Sequence, residues 1–146
     1  MIKSVEQIAE VLGNNGYETQ INENAVFTKI GGSSQPYTAV LELSETQLTI
    51  SCELAKLGDF EEDRVPELFA AALSANTVID PFAFAIIDEA DDDSITSPEE
   101  YSFILIDTVP VGDLSEEELS YSMDSLWKAL TESASVLRTA FAPATV

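Results

Sequence analysis

Two hydrophobic periods divide the chain, and the switch between them constrains the fold more than any other feature. From Tyr37 to Leu54 the period is two: Tyr37, Ala39, Leu41 and Leu43 alternate with more polar residues, Ser44-Glu45-Thr46 turns the chain, and Leu48, Ile50, Cys52 and Leu54 resume the alternation. That pattern predicts two half-buried antiparallel strands, with Thr49, Ser51 and Glu53 on the face opposite the apolar one. From Asp63 the period lengthens to that of a helix. Val65, Leu68, Phe69, Ala72 and Leu73 fall on one stripe, Pro66 suits a first turn and Asn76 a C-cap, so a helix is expected over 65–75.

The remaining segments follow from the same two rulers. Ile2, Val5, Ile8 and Leu12, with a Ser4/Gln7 capping box and Gly13-Asn14-Asn15-Gly16 at the end, predict a short amphipathic first helix. Segments 17–21 and 25–30 read as a hairpin around Asn22-Glu23-Asn24, closed by a Gly31-Gly32-Ser33-Ser34 turn. Segments 82–87 and 101–106 are continuous apolar runs, as expected of strands in the middle of a sheet. Ser115 and Glu118 form a second capping box. Behind it Leu119, Met123, Leu126, Leu130, Ala134, Leu137 and Phe141 keep one face apolar until Pro143, with Trp127 at the edge of that stripe. The expected order is α-β(β)ββ-α-ββ-α, an α+β fold built on an antiparallel sheet with helices, in one domain over 1–142 followed by a tail over 143–146.

Charge then removes whole classes of function. The 146 residues carry 27 Asp and Glu against six Lys and Arg, a formal net charge of -21, and no histidine. Such a surface repels phosphate backbones and anionic lipid headgroups, so neither nucleic acid nor membrane insertion is expected. Without histidine there are no His-centred triads and no imidazole metal sites. The longest apolar run, at 82–87, is far short of the roughly 20 residues a spanning helix needs, and no secretory signal is read at the N-terminus. The single cysteine, Cys52, falls on the apolar face of a strand and reads as an inert core thiol; a cytoplasmic location is expected.

Candidate chemistry is sparse. A twelve-residue loop begun at Asp88 has acids at positions 1, 5 and 12 and Ile95 at position 8, as a calcium loop would. It fails at position 3, which is Ala90, and at position 6, where Asp93 replaces the required glycine. The acids at 116–118 suit a helix N-terminus, where the macrodipole favours them. No catalytic residue, cofactor or metal is expected. Between Arg64 and Lys128 there is no basic residue at all, which points either to a solubility device or to a basic partner steered to this surface. A nucleic-acid mimic and an Asp/Glu-only hydrolase stand behind these readings.

The order of elements, with Val109-Pro110-Val111-Gly112-Asp113-Leu114-Ser115-Glu116-Glu117-Glu118-Leu119 opening a long last helix and Trp127 near its middle, resembles the type III secretion chaperone fold. That superfamily includes Tir-chaperone-like and YbjN-like proteins. The Pro36-Tyr37 strand and Asp80-Pro81-Phe82-Ala83-Phe84 also resemble the uncharacterised YjfI-like family, whose members are often encoded beside phage-shock-protein A relatives. The acidic insertion 88–100 is longer than the tight turn usual in such proteins. The resemblance implies a non-enzymatic, often homodimeric chaperone or adaptor that holds a partner polypeptide. On that reading dimer or partner contacts are expected at Leu68, Phe69 and Leu73 of the second helix and at Phe82 and Phe84 of the adjoining strand.

Overall fold

In a computed structural model, which describes residues 1–31, 36–88 and 97–140, three helices and six strands appear in the expected order. The elements are α1 (Val5–Asn14), β1 (Thr19–Asn22), β2 (Ala25–Ile30), β3 (Tyr37–Leu43), β4 (Gln47–Lys56), α2 (Val65–Ala75), β5 (Ala83–Ile87), β6 (Ser102–Pro110) and α3 (Glu116–Arg138). All strand pairs are antiparallel, in the order β1-β2-β3-β4-β6-β5, so the α+β architecture stands. The Gly32–Ser34 part of the first turn, most of the acidic insertion (residues 89–96) and the stretch 141–146, with Phe141 and the tail, lie outside the described residues.

Local chemistry sets the ends of the helices. The Ser4 hydroxyl accepts from the Gln7 N–H at 3.2 Å, and the Gln7 side chain reaches back to the Lys3 N–H at 2.6 Å, one residue earlier than the usual reciprocal bond. At the far end of α1, Gly16 has φ +91, Tyr17 N–H reaches the Leu12 carbonyl and Gly16 N–H that of Gly13, a Schellman closure that needs the left-handed residue glycine supplies. Ser115 caps α3 in the predicted way, accepting from Glu118 N–H at 3.1 Å.

The strand register sorts the side chains by face, because directly paired residues project to the same side. One row runs Val26, Leu41, Ile50, and the neighbouring positions Cys52, Leu105 and Phe84 follow in register. These residues share a single buried cluster with Ile8 and Leu12 of α1, Leu68 and Ala72 of α2, and Leu119, Met123 and Leu126 of α3. The helices therefore cover this face. Phe103 anchors its far end, stacked on Phe84 at 5.4 Å and edge-on to Phe60 at 6.0 Å.

Three sequence expectations need correction. β5 is an edge strand rather than a central one; its run lacks polar alternation because the residues on its second face, Ala83, Ala85 and Ile87, are themselves small or apolar. On α3 the buried stripe passes through Ser133 rather than Ala134, which is exposed. The Ser133 hydroxyl donates to the Leu130 carbonyl at 2.6 Å, so a polar residue is buried there without an orphaned group. Trp127, expected at the core edge, is 50% exposed on the flank of the helix.

Candidate functional site

The second face of the sheet is where the chain leaves most room for a partner. Its central row, Phe27, Val40, Ser51, Ile106 and Ala83, crosses five strands in direct register. All five residues are half-buried, and none belongs to the helix-covered cluster. Beside the row opens a groove of about 670 Å³ whose lining includes Tyr37, Val40, Leu54, Ile87, Ile104 and Leu137. Ile104, only 2% exposed, forms its floor.

Charge is distributed very unevenly between this face and the rest. Within the strands it carries Lys29, Lys56, Glu42 and Glu53, two cations and two carboxylates of the chain's 27, for a net charge of zero. The helical layer holds the opposite: Glu6, Glu10, Glu67, Glu116, Glu117, Glu118, Asp124 and Glu132 are all exposed. A second, shallower groove of about 400 Å³ lies between the end of α1 and the start of α3. It is lined by Asn14, Asn15, Glu116, Glu117, Tyr121 and Asp124, among others. Tyr121 is 63% exposed there; burial first, and then the charge of Asp124, raise the pKa of neighbouring Tyr17.

One corner of this charge-balanced face holds a polar brace. The buried Ser102 hydroxyl donates to Glu53 Oε1 at 2.7 Å and accepts from Lys56 Nζ at 2.8 Å, while Lys56 and Glu53 pair directly at 3.0 Å. Partial burial pushes the Glu53 carboxyl up, but the bonds from Ser102 and Lys56 and the ammonium charge outweigh it, and its pKa is lowered. A serine next to a lysine can be a nucleophile next to its base. Here the serine is sealed from solvent and its proton points to a carboxylate, so the trio reads as a lock on the β4 bulge between Glu53 and Ala55. Gly58, in the turn after β4, lies against the turn at Pro98–Glu100 that precedes β6: a Cβ there would meet the Glu99 Cβ and carbonyl oxygen at 3.1 Å.

Asp107 is the other perturbed carboxylate. It pairs with Ile50 on the helix-covered face, where desolvation raises its pKa, the Thr108 backbone N–H lowers it, and the negative charge of Asp80 raises it again. Cys52 is fully buried, and burial, helped by the charge of Glu53, pushes its thiol up to about 12. Among the described residues no group of three His, Cys, Asp or Glu is placed to hold a metal ion, and no helix is long and apolar enough to cross a membrane.

The residues expected to make dimer or partner contacts separate into two sets. Leu68, Phe82 and Phe84 are 0%, 1% and 7% exposed and belong to the chain's own core, so their side chains present nothing to another molecule. Phe69 is half-buried against that core, whereas Leu73 is 69% exposed. Sequence reasoning overlooked the Phe27–Ala83 row. Its signal lay in the missing polar alternation at 82–87 and in the scarcity of acids along β2 to β4.

No protein-family profile matches the chain, and no curated protein matches it. Among solved structures it is similar to YbjN from E. coli, a proposed transcription regulator, with a TM-score of 0.65 and 10% identity over 98% of each chain. It is also similar to an uncharacterized protein from Methanothermobacter thermautotrophicus, with a TM-score of 0.58 and 14% identity over 93% of this chain and 98% of that one. At such identities the likeness is one of fold. The chain has a YbjN-like α+β fold.

Proposed function

We infer that this protein is a non-enzymatic, acidic protein-binding module, a chaperone or adaptor that holds a basic segment of a partner polypeptide against its helical layer. The observation that carries the reading is the local cluster of charge at the start of the last helix: exposed Glu116, Glu117 and Asp124 line the Tyr121 groove with no basic residue among its lining, while the strands of one sheet face carry no net charge. Lys and Arg side chains would find carboxylates at Glu116, Glu117 and Asp124 and an aromatic face at Tyr121, contacts that steer association as well as hold it.

The resemblance to type III secretion chaperones supports this reading, and the likeness to the uncharacterised YjfI-like family suggests a regulatory variant in which the partner is a phage-shock-protein A relative. YbjN is described as a proposed transcription regulator. With a net charge of -21, a regulatory role for this chain would run through a protein rather than through direct contact with DNA. The test is to isolate the tagged protein from its native cells in mild salt, identify its companion and titrate the pair. A stoichiometric basic companion, released by salt and weakened by Glu116→Gln/Glu117→Gln/Asp124→Asn, is the expected result. A companion indifferent to salt and to the triple variant would refute the reading.

A further inference from the structure

Ser102 and Ile104 are 0% and 2% exposed, although both project from β6 to the face opposite the helix-covered cluster. Ile106, next along β6 on that face, is only half-buried. The burial is therefore local to one end of the face, the end where the groove of about 670 Å³ opens. Leu137, on the last turn of α3, lines that groove together with Leu54, Ile87 and Ile104, so the helix delivers the chain to it. Three residues later the Ala140 carbonyl accepts from Glu61 N–H at 3.3 Å, which pins the exit. We propose that the segment Phe141-Ala142-Pro143-Ala144-Thr145-Val146 is the occupant of this groove, an apolar strap that leaves α3 and lays the Phe141 ring on Ile104 between Leu54 and Ile87.

Length, chemistry and tethering select this occupant. Six extended residues span at most about 20 Å. The groove runs from Tyr37 on β3 across β4 and β6 to Ile87 on β5, three strand spacings of about 4.8 Å, or roughly 14 Å. The segment has no charged side chain in a chain of net charge -21, and the one charged residue of the lining, Glu53, is already engaged by Ser102 and Lys56. Phe141, Pro143 and Val146 bring apolar area to match Leu54, Ile87, Ile104 and Leu137, and Pro143 has no N–H to leave unpaired on an apolar floor. Tethering decides between this segment and a free peptide of the same chemistry. Held beside the groove by Leu137, it is present at an effective concentration in the millimolar range, so even a weak contact is filled from within the chain. Val40 and Ser51, at the rim one residue pair further along, stay open. The kind of partner that fits the groove follows: an extended, uncharged segment with an aromatic residue, which binds by displacing the strap. This contact is independent of the basic-partner reading, whose carboxylates lie at the other end of α3.

The test is methyl NMR of the whole chain labelled at Ile, Leu and Val. The ring current of Phe141 should displace the signals of Ile104, Ile87 and Leu54. Phe141→Ser, and separately removal of 141–146, should return them to ordinary values while Val26 and Leu119 of the helix-covered core stay in place. A second readout leaves the strap intact. Thr145→Cys takes a nitroxide label selectively, because Cys52 is fully buried with its thiol pushed up to about 12. The label should broaden Ile104, Ile87 and Leu54 strongly and Leu119, at the far end of α3, little. Mixing nitroxide-bearing chains with separate isotope-labelled ones should give no such broadening, which distinguishes a strap from a segment exchanged between copies. The free peptide Phe-Ala-Pro-Ala-Thr-Val should restore the signals of the shortened chain at millimolar concentration and act roughly tenfold more weakly on the whole chain. Unmoved Ile104, Ile87 and Leu54 signals in both variants would overturn the proposal. So would uniform broadening, or broadening that appears in the mixed sample. Should shortening disturb the fold, the nitroxide-bearing whole chain still decides.

Discussion

The two faces of the sheet are built from the same strands yet differ in almost every physical respect. On one, Val26, Leu41, Ile50, Cys52 and Leu105 are essentially sealed beneath three helices. On the other, their immediate chain neighbours Phe27, Val40, Ser51 and Ile106 remain half open, with little charge around them. Adjacent residues thus have different tasks: Leu41 holds the fold together, and Val40 is available to another molecule. The chain's excess carboxylates lie in its turns, loops and helices, and the strands of the open face carry two cations and two carboxylates.

The sharpest contrast is within β4. Cys52, with its thiol pushed up to about 12, should resist a maleimide at pH 8 until the protein is unfolded, whereas a thiol placed at 51 by Ser51→Cys should react at once. The difference in rate should be on the order of a thousandfold, set by thiolate fraction and access. Comparable rates at the two positions would break the assignment of faces.

Stability gives the next contrast, in β6. Leu105→Ala opens a cavity in the helix-covered core and should cost about 2–5 kcal/mol in chemical denaturation, while Ile106→Ala, on the open face, should cost about 1 kcal/mol or less. A smaller effect is expected at the sheet edge. The Asn76 side-chain oxygen accepts from Phe84 N–H at 2.7 Å and so closes part of the free edge of β5. Asn76→Ala should destabilise by about 1–2 kcal/mol and raise amide exchange at Phe84.

The smallest effects are those of pH. Asp107 has a raised pKa in the fold, so the folded state holds its proton more tightly; its contribution falls as pH rises from the ordinary aspartate range through the folded value. Glu53 has a lowered pKa, and its contribution is present above the ordinary glutamate range and lost as pH falls through the folded value. Asp107→Asn should therefore raise the melting temperature at pH 7 and lose that advantage in acid, and Glu53→Gln should do the reverse. Thermal melts at pH 3 and pH 7 check both signs.

Much of this fold was legible in the sequence, because period two and period 3.6 are direct consequences of strand and helix geometry. The helix caps at Ser4 and Ser115, the first hairpin and the core placement of Cys52 follow from that reading. Sheet order was harder to see. A continuous apolar run at 82–87 normally means burial on both sides, yet β5 lies at an edge, and only the pairing with β6 shows it. The burial of three of the expected contact residues was hidden for a related reason. Leu68, Phe82 and Phe84 are large and apolar, which is as true of core residues as of interface residues, and only packing separates the two. The open row was hidden because Phe27, Val40 and Ile106 are far apart in sequence and become neighbours only through strand register.

The neighbouring residues Val40 and Leu41 offer the most direct test of the two-face account: thermal melts of Val40→Asp and Leu41→Asp beside wild type. The account predicts that Val40→Asp melts cooperatively near the wild-type temperature and that Leu41→Asp, with its charge in the helix-covered core, fails to fold. A folded Leu41→Asp, or a Val40→Asp that loses its cooperative melt, would contradict it.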